Sequence, residues 1–582
     1  MTRAALPLLP AEFAAVLGRL APAAGEVEIL CAALAADATA AGHVCVDLAR
    51  VAGKRPFEGA RDLPPLGELV ATLAASPLVA MPGAFAPLVL DGSRLYLHRY
   101  WRYESSLAAD LLARAAAPVE GVAPERLAAV LDRLFPSSGE GIDMQKVAAA
   151  VAVLRRVAVI SGGPGTGKTA TAARILAALV ALSGDRPLAV GLAAPTGKAA
   201  ARLEAALAAA DETRALALRG TTVHRLLGLA GGAAPRFDAA NPLPLDVLVV
   251  DEASMLDLAL AAKLVRALPA AARLVLLGDK DQLASVEAGA VLASVATGAG
   301  AFSAQTHDLV ARATGEDVRL GAPPSPLADA TVLLERSYRF AAASGVGRLA
   351  RAVRAGDART AAAILDEGDD AGWQPLDGER LGDAVFAGYE PYFAAVAAGA
   401  DARACFAALE RFRVLCALRG GPFGVEAVNR AVERRLAARD PAVLHRRWYP
   451  GRPVMVTRND YALRLANGDV GIALPDASAS GGIAVVFETP EGGLRRLSPA
   501  RMPECETVYA TTVHKSQGSE FDDVLLVLPP EPSPVLSREL VYTGLTRARR
   551  RVAVAATPEL LAAALATRVE RDSGLAERLQ RR

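Results

Sequence analysis

The sequence predicts an α/β protein: two helix-flanked parallel sheets, a β-rich insertion in the second, and a mostly helical N-terminal region. Three observations carry this. Short Val/Leu/Ile runs alternate with helical patterns over about 140–340, and again over about 341–582. A glycine-rich loop, Gly162-Gly163-Pro164-Gly165-Thr166-Gly167-Lys168-Thr169, separates an apolar strand pattern from a helical one. Several short strands with tight-turn signals crowd into about 448–503. Alternation of this kind covers both faces of a parallel sheet, because each crossover requires a helix.

Along the chain, residues 1–135 carry Ala/Leu helical patterns, broken by one hairpin, Pro87–Leu90 and Leu95–Tyr100, around Asp91-Gly92. Pro136-Ser137-Ser138-Gly139 reads as a linker. Strands are expected at Val157–Ile160, Leu188–Ala193, Val247–Val250 and Leu274–Leu277, with a loop-rich, mobile insertion at 296–330. The second α/β unit is expected to use Arg413–Leu418, Val524–Leu528 and Val552–Ala555. Its insertion is expected to hold strands Tyr461–Leu465, Val470–Leu474 and Ile483–Phe487, with turns at Asn467-Gly468 and Pro490–Gly493, and to form a small barrel.

Composition narrows the classes. The 582 residues suit roughly three or four domains. A formal charge of +1 excludes a globally basic coat, so any nucleic-acid site is a local groove. No uninterrupted apolar run of roughly 18 residues appears, and Pro7, Pro10 and Glu12 interrupt the apolar start, so neither membrane span nor signal sequence is expected. The five cysteines are scattered without Cys-x-x-Cys spacing, which suits a reducing, cytoplasmic setting without zinc or disulfides.

The strand–loop–helix context makes the glycine loop a P-loop. Its backbone N–H groups and helix N-terminus face a polyphosphate; Lys168 reaches the β- and γ-phosphates, and Thr169 is placed for Mg²⁺. The chain is therefore expected to bind a nucleoside triphosphate. Asp251 and Glu252 follow the strand Val247–Val250: Asp251 suits Mg²⁺ opposite Thr169, and Glu252 suits orienting and deprotonating the attacking water. Gln282, after Gly278-Asp279, is a candidate γ-phosphate sensor, although a plain turn fits the same residues. Arg339 and Arg547 are candidates for a transition-state cation from the second unit, which would make hydrolysis depend on cleft closure. Gln145 can read adenine through two hydrogen bonds, or be an ordinary surface glutamine.

Three further segments suit sugar–phosphate contacts: Ala194–Lys198, Thr221–Arg225 and Ala510–Gly518. Thr196, Lys198, Thr222, His224, Thr512 and His514 offer donors that hold a strand without reading its sequence. Each segment also suits an ordinary helix cap or turn.

In order, GGPGTGKT, APTGKAAARL, TTVHRLLG, DEASM, LLGDKDQLASVEAG, SYRF, TTVHKSQGSEFD and YTGLTRAR resemble the motif set of superfamily 1 helicases. With Gln145-Lys146 and Leu95–Glu104, the set is most similar to the RecD branch, the alpha subunits of exodeoxyribonuclease V. The resemblance implies two RecA-like P-loop domains, 140–340 and 341–582, with ATP between them, an inserted SH3-like β-barrel at about 448–503, and a docking role for 1–135. It implies an ATP-dependent, 5′-to-3′ DNA helicase that works on single-stranded DNA and duplex ends, in recombinational repair and degradation of linear DNA. It implies a heterotrimer with beta (RecB-like) and gamma (RecC-like) subunits. It also assigns Gln517 to the γ-phosphate or to coupling, and Glu520 to the ribose. No carboxylate cluster with a lysine suits a nuclease outside the ATP site, so nuclease activity is expected in a partner.

Overall fold

Six parallel strands form the first α/β sheet, in the order Thr331–Leu334, Val157–Gly162, Arg273–Gly278, Val247–Val250, Val190–Ala194, Gly220–Thr222. The central strands read as unbroken apolar runs because helices cover both faces; Val157, Val159, Ile160 and Val247–Val250 are fully buried. The polar motifs follow the carboxyl ends of these strands, where open α/β sheets bind ligands. The computed structural model describes residues 6–117, 119, 121–136, 141–214, 216–229, 234–341, 343–460, 462–476, 482–489 and 492–580. Ser137–Gly139 of the expected linker, Tyr461, and Pro490 and Glu491 of the expected turn lie outside the described residues.

The 296–330 stretch is not simply a loop. It contains the helix Ala304–Thr314, capped by the Ser303 hydroxyl and set against the helix Pro124–Leu134. Asp329 accepts from the Ser303 N–H at 2.7 Å and the Thr306 hydroxyl at 2.8 Å, fastening the stretch down. Its buried face uses Thr306, Val310 and Ala313, too small and mixed to produce a strong apolar period.

The second sheet is also parallel: Ala371–Gln374, Ala548–Ala555, Phe521–Val527, Phe412–Cys416, Ala510–Thr512. Between its strands lies an antiparallel five-stranded sheet, Leu494–Leu497, Ile483–Glu488, Val470–Pro475, Pro453–Val456, Cys505–Thr507. The expected strand ending at Leu465 is absent among its described residues. That segment turns instead: Arg464 is left-handed at φ 51°, and Asp460 and Leu465 form an isolated bridge. The strand pairing with Val470–Pro475 is Pro453–Val456.

The N-terminal region combines helices with a sheet ordered Cys45–Asp47, Arg94–Leu97, Leu88–Asp91, Val79–Ala80. The hairpin's second strand stops at Leu97, and Tyr100 lies in the helix His98–Ala116. This helix buries Leu107, Leu111 and Ala115, spaced one turn apart, and packs on Leu258–Ala267 of the first α/β unit. The C-terminal helix Leu575–Gln580 returns to the same His98–Ala116 helix. Among the described residues no helix is long and apolar enough to cross a membrane.

Candidate nucleotide site and interdomain cleft

The loop after Val157–Gly162 turns on Gly165 and Gly167, both left-handed at φ 73° and 82°, a conformation glycine adopts without strain. Gly167 caps the helix Lys168–Ser183. Lys168 Nζ donates to the Gly162 carbonyl at 2.6 Å and that of Gly163 at 3.1 Å, so the ammonium lies folded on the loop. Thr169 follows in the first helical turn. Gln145, in the first turn of Met144–Leu154, donates its Nε2 to the Thr166 carbonyl at 3.0 Å. A cavity of about 470 Å³ opens beside them, with Gln145, Thr166, Phe302, Leu334 and Tyr338 in its wall.

Asp251 and Glu252 sit half-buried at the end of Val247–Val250. Burial, then the neighbouring Glu252, raise the Asp251 carboxyl to about 6, against the pull of Lys168. Glu252 adopts φ 51°, unusual for a side-chain-bearing residue and typical of functional sites.

Gln282 is buried; its Nε2 donates to Asp279 at 3.2 Å, while its buried Oε1 has no partner among the described residues. Asp279 also accepts from the Tyr542 hydroxyl at 3.0 Å. Leu283 N–H donates to the Thr543 hydroxyl at 2.9 Å, and Gln517 Nε2 donates to the Leu283 carbonyl at 3.1 Å. Three hydrogen bonds thus tie the end of Arg273–Gly278 to the second α/β unit. Sequence reasoning assigned no role to Asp279, Tyr542 or Thr543, although Tyr542 and Thr543 begin the same run that holds Arg547.

Arg339 reaches the P-loop: a Cβ added at Gly165 would lie 2.2 Å from that of Arg339. Tyr338 N–H donates to the Gly165 carbonyl at 2.7 Å. Arg547 is buried and donates to the Thr543 carbonyl at 3.2 Å and that of Ser519 at 3.3 Å, within its own unit. Glu520 does not stand free for a ribose; it pairs with Arg202 at 2.6 Å, Arg339 at 2.7 Å and Arg549 at 3.4 Å. Burial alone would raise its carboxyl, but Arg202 and Arg339 outweigh that and hold it at about 2.

The Thr196, Thr222 and Thr512 hydroxyls accept backbone N–H groups of Ala199, Arg225 and Lys515, so Thr196 and Thr222 cap the helices that follow them and Thr512 closes a turn. Thr196 follows the strand Val190–Ala194 and Thr222 ends the adjacent one, and Thr196 meets the second unit: a Cβ at Gly518 would lie 3.7 Å from its hydroxyl. Lys198 and His224 are exposed. Burial, then Arg571, push the His514 imidazole below its usual pKa.

Residues 145–288 match the AAA domain family, 507–555 the UvrD-like helicase C-terminal domain, and 3–96 the N-terminal domain of RecBCD enzyme subunit RecD. The chain is 41% identical over 587 residues to RecBCD enzyme subunit RecD of Mycobacterium tuberculosis, covering 97% of this chain and 94% of that one. It is 32% identical over 433 residues to the ATP-dependent RecD2 DNA helicase of Deinococcus radiodurans, covering 73% and 50%. The solved Pif1 helicase from Candida albicans is similar at TM-score 0.37 and 17% identity, over 71% of this chain and 93% of that one. Identity of 41% across nearly the whole of both chains, with the matching N-terminal domain, shows that this chain belongs to the family of RecBCD enzyme RecD subunits.

Proposed function

We propose that this chain is the ATP-driven DNA helicase subunit of a RecBCD-type enzyme. It moves 5′ to 3′ on single-stranded DNA and unwinds duplex ends, for recombinational repair and degradation of linear DNA. The observation that carries the reading is the bridge from Asp279 and Leu283 to Tyr542, Thr543 and Gln517. A loop that carries the γ-phosphate sensor Gln282 between two residues bonded across the cleft converts occupancy into relative motion of two units, which a motor requires.

In this reading Gln145 reads adenine and Gly162–Gly167 wrap the phosphates. Lys168 moves from the loop carbonyls to the β- and γ-phosphates. Glu252 orients the water and accepts its proton, and Gln282 senses the γ-phosphate. Arg339 and Arg547 supply cations as the cleft closes, Gln517 couples the units, and Glu520 serves the ribose through its second oxygen, which Arg549 reaches at 3.4 Å. Thr169 and Asp251 fit Mg²⁺: Asp251 lies half-buried with a second carboxylate, Glu252, beside it, and a hydroxyl with one carboxylate beside a triphosphate suits that ion. Mg²⁺ held there would neutralise phosphate charge.

Thr196, Lys198, Thr222, His224, Thr512 and His514 contact the DNA backbone. Residues 140–340 and 341–582 are the two RecA-like motor domains, the antiparallel sheet is an SH3-like barrel at about 448–503, and 1–135 docks the beta and gamma subunits. Nuclease activity lies in a partner, and the enzyme works in the cytoplasm.

The test is ATPase activity with and without single-stranded DNA, then unwinding of duplexes bearing one 5′ or one 3′ tail. DNA-stimulated turnover with unwinding from the 5′ tail alone is expected. Turnover indifferent to DNA, with partner subunits present as well, would leave a structural subunit rather than a motor.

A further inference from the structure

At the cleft, Arg202 has no part in the scheme above, although it pairs with Glu520, which has one. Arg202 stands on the helix Gly197–Ala209, four residues after Lys198, so both side chains share one face of that helix. Arg202 Nη2 lies 2.6 Å from Glu520 Oε1, and Arg339 Nη2 donates to the same oxygen at 2.7 Å. Arg549 Nε reaches the other oxygen at 3.4 Å. One largely buried carboxylate therefore gathers guanidiniums from the P-loop unit, from the segment leading out of it, and from the second unit. The Arg339 side chain is only half committed: Nη2 is anchored, while Nη1 is buried without a hydrogen-bond partner among the described residues. An unpaired buried guanidinium nitrogen beside a P-loop is costly unless an anion completes it.

We propose that Arg202 is a positioning residue that links the strand-binding end of its helix to the arginine finger Arg339 through Glu520. The inference rests on the motor reading given above. A helix moves as a rigid body, so a strand held at Thr196 and Lys198 displaces Arg202 one turn further on. Arg202 and Arg339 share one oxygen, so the place of one sets the place of the other. With Arg202 engaged, Glu520 holds Arg339 Nη2 and leaves Nη1 for the γ-phosphate. Without Arg202, Glu520 is free to turn toward Arg549 and draw the finger away.

The test uses the purified full chain, with steady-state ATPase measured with and without oligo-dT, and oligo-dT affinity measured separately by fluorescence anisotropy. In Arg202→Ala the turnover at saturating DNA is expected to fall about tenfold, while DNA affinity and the KM for ATP change by less than about threefold. Arg202→Lys keeps the charge but loses the planar fork, and is expected to restore part of the stimulation. This second variant carries the test if the alanine variant misfolds. Wild-type stimulation in either variant overturns the proposal. So does weakened DNA affinity with undiminished turnover at saturation, the signature of a plain phosphate contact. A wild-type chain whose turnover ignores DNA overturns the motor reading and the relay together; stimulated wild type beside a stimulated variant overturns the relay alone.

Discussion

Tyr542 donates its hydroxyl to Asp279 at 3.0 Å, joining the two α/β units beside the P-loop, where a Cβ at Gly163 would lie 2.9 Å from that same hydroxyl. The acceptor is itself under stress: burial, opposed by Lys168 and reinforced by Asp281, raises the Asp279 carboxyl above its usual pKa. A hydrogen bond to such a group is worth more than an average one.

Tyr542→Phe keeps the ring and removes only that hydroxyl. The expected cost to the closed cleft is about 1.5–3 kcal/mol, the range for hydrogen bonds to charged groups. Turnover should fall about tenfold while ATP affinity holds within about threefold, since the bond spans the cleft rather than the triphosphate. Steady-state kinetics and a melting curve check both; unchanged kcat would mean that Thr543 and Gln517 suffice to couple the units.

Asp251 gives a pH prediction. Its folded pKa, about 6, stands above the ordinary 3.8 of a solvated aspartate. Between these values the folded, nucleotide-free chain holds a proton that the unfolded chain releases. Stability from this group therefore falls as pH rises through the window, and the full penalty is present above about 6. Asp251→Asn never carries the charge. At pH 8 it should be more stable than wild type by on the order of 1–3 kcal/mol, and inactive in ATP hydrolysis. The gain should shrink as pH falls toward 4. Thermal melts of both proteins across pH 4–8 read the sign directly; a less stable variant at pH 8 would show that attraction to Lys168 outweighs burial.

What the sequence made legible follows from how local each constraint is. The P-loop, Asp251-Glu252 and Gln282 each stand beside an apolar strand in the linear text, so motif and context are read together. Asp279–Tyr542 spans 263 positions, and neither residue type is distinctive by itself. The same holds for the pair Arg202 and Glu520: the resemblance assigns Glu520 to the ribose, and its arginine partners emerge only when the cleft brings them together. The segment ending at Leu465 misleads for a different reason: apolar residues before Asn467-Gly468 mimic a hairpin arm, but its bridge closes back on Asp460. In 296–330, Gly and Pro at Gly321–Pro326 mask the helix that precedes them.

Gln145 should determine the choice of base. Its Nε2 spends one hydrogen on the Thr166 carbonyl, which leaves the second hydrogen and most of the Oε1 capacity for a purine edge; Arg174 reaches Oε1 only at 3.4 Å. Adenine offers a matching acceptor and amino group, whereas guanine presents a carbonyl to Oε1. Gln145→Ala should raise the KM for ATP about tenfold and leave that for GTP within about threefold, so discrimination collapses. Competition between the two nucleotides in a turnover assay measures it. Loss of both affinities in parallel would instead assign Gln145 to holding the P-loop through Thr166.

The C-terminal helix supplies the last prediction. Glu104, on the helix His98–Ala116, is fully buried, a position a carboxylate keeps only when paired. Four groups satisfy it: the Tyr96 hydroxyl at 3.0 Å, the Ser573 hydroxyl at 2.6 Å, the Gly574 N–H at 2.9 Å and Arg578 Nε at 2.9 Å. Arg578 also pairs with Asp91 at 2.5 Å, so the chain's end is fastened to its N-terminal region by charge. Arg578→Met keeps the apolar stem and removes the cation. It should cost on the order of 3–5 kcal/mol, because it strands a buried charge rather than deleting a surface pair. Adding Glu104→Gln to that variant should recover a large part of the loss, since the amide carries no charge to strand. The recovery separates charge stranding from lost packing: if the double variant melts no higher than Arg578→Met alone, the stem and its rings hold the helix, and the carboxylate is satisfied by the two hydroxyls and the amide.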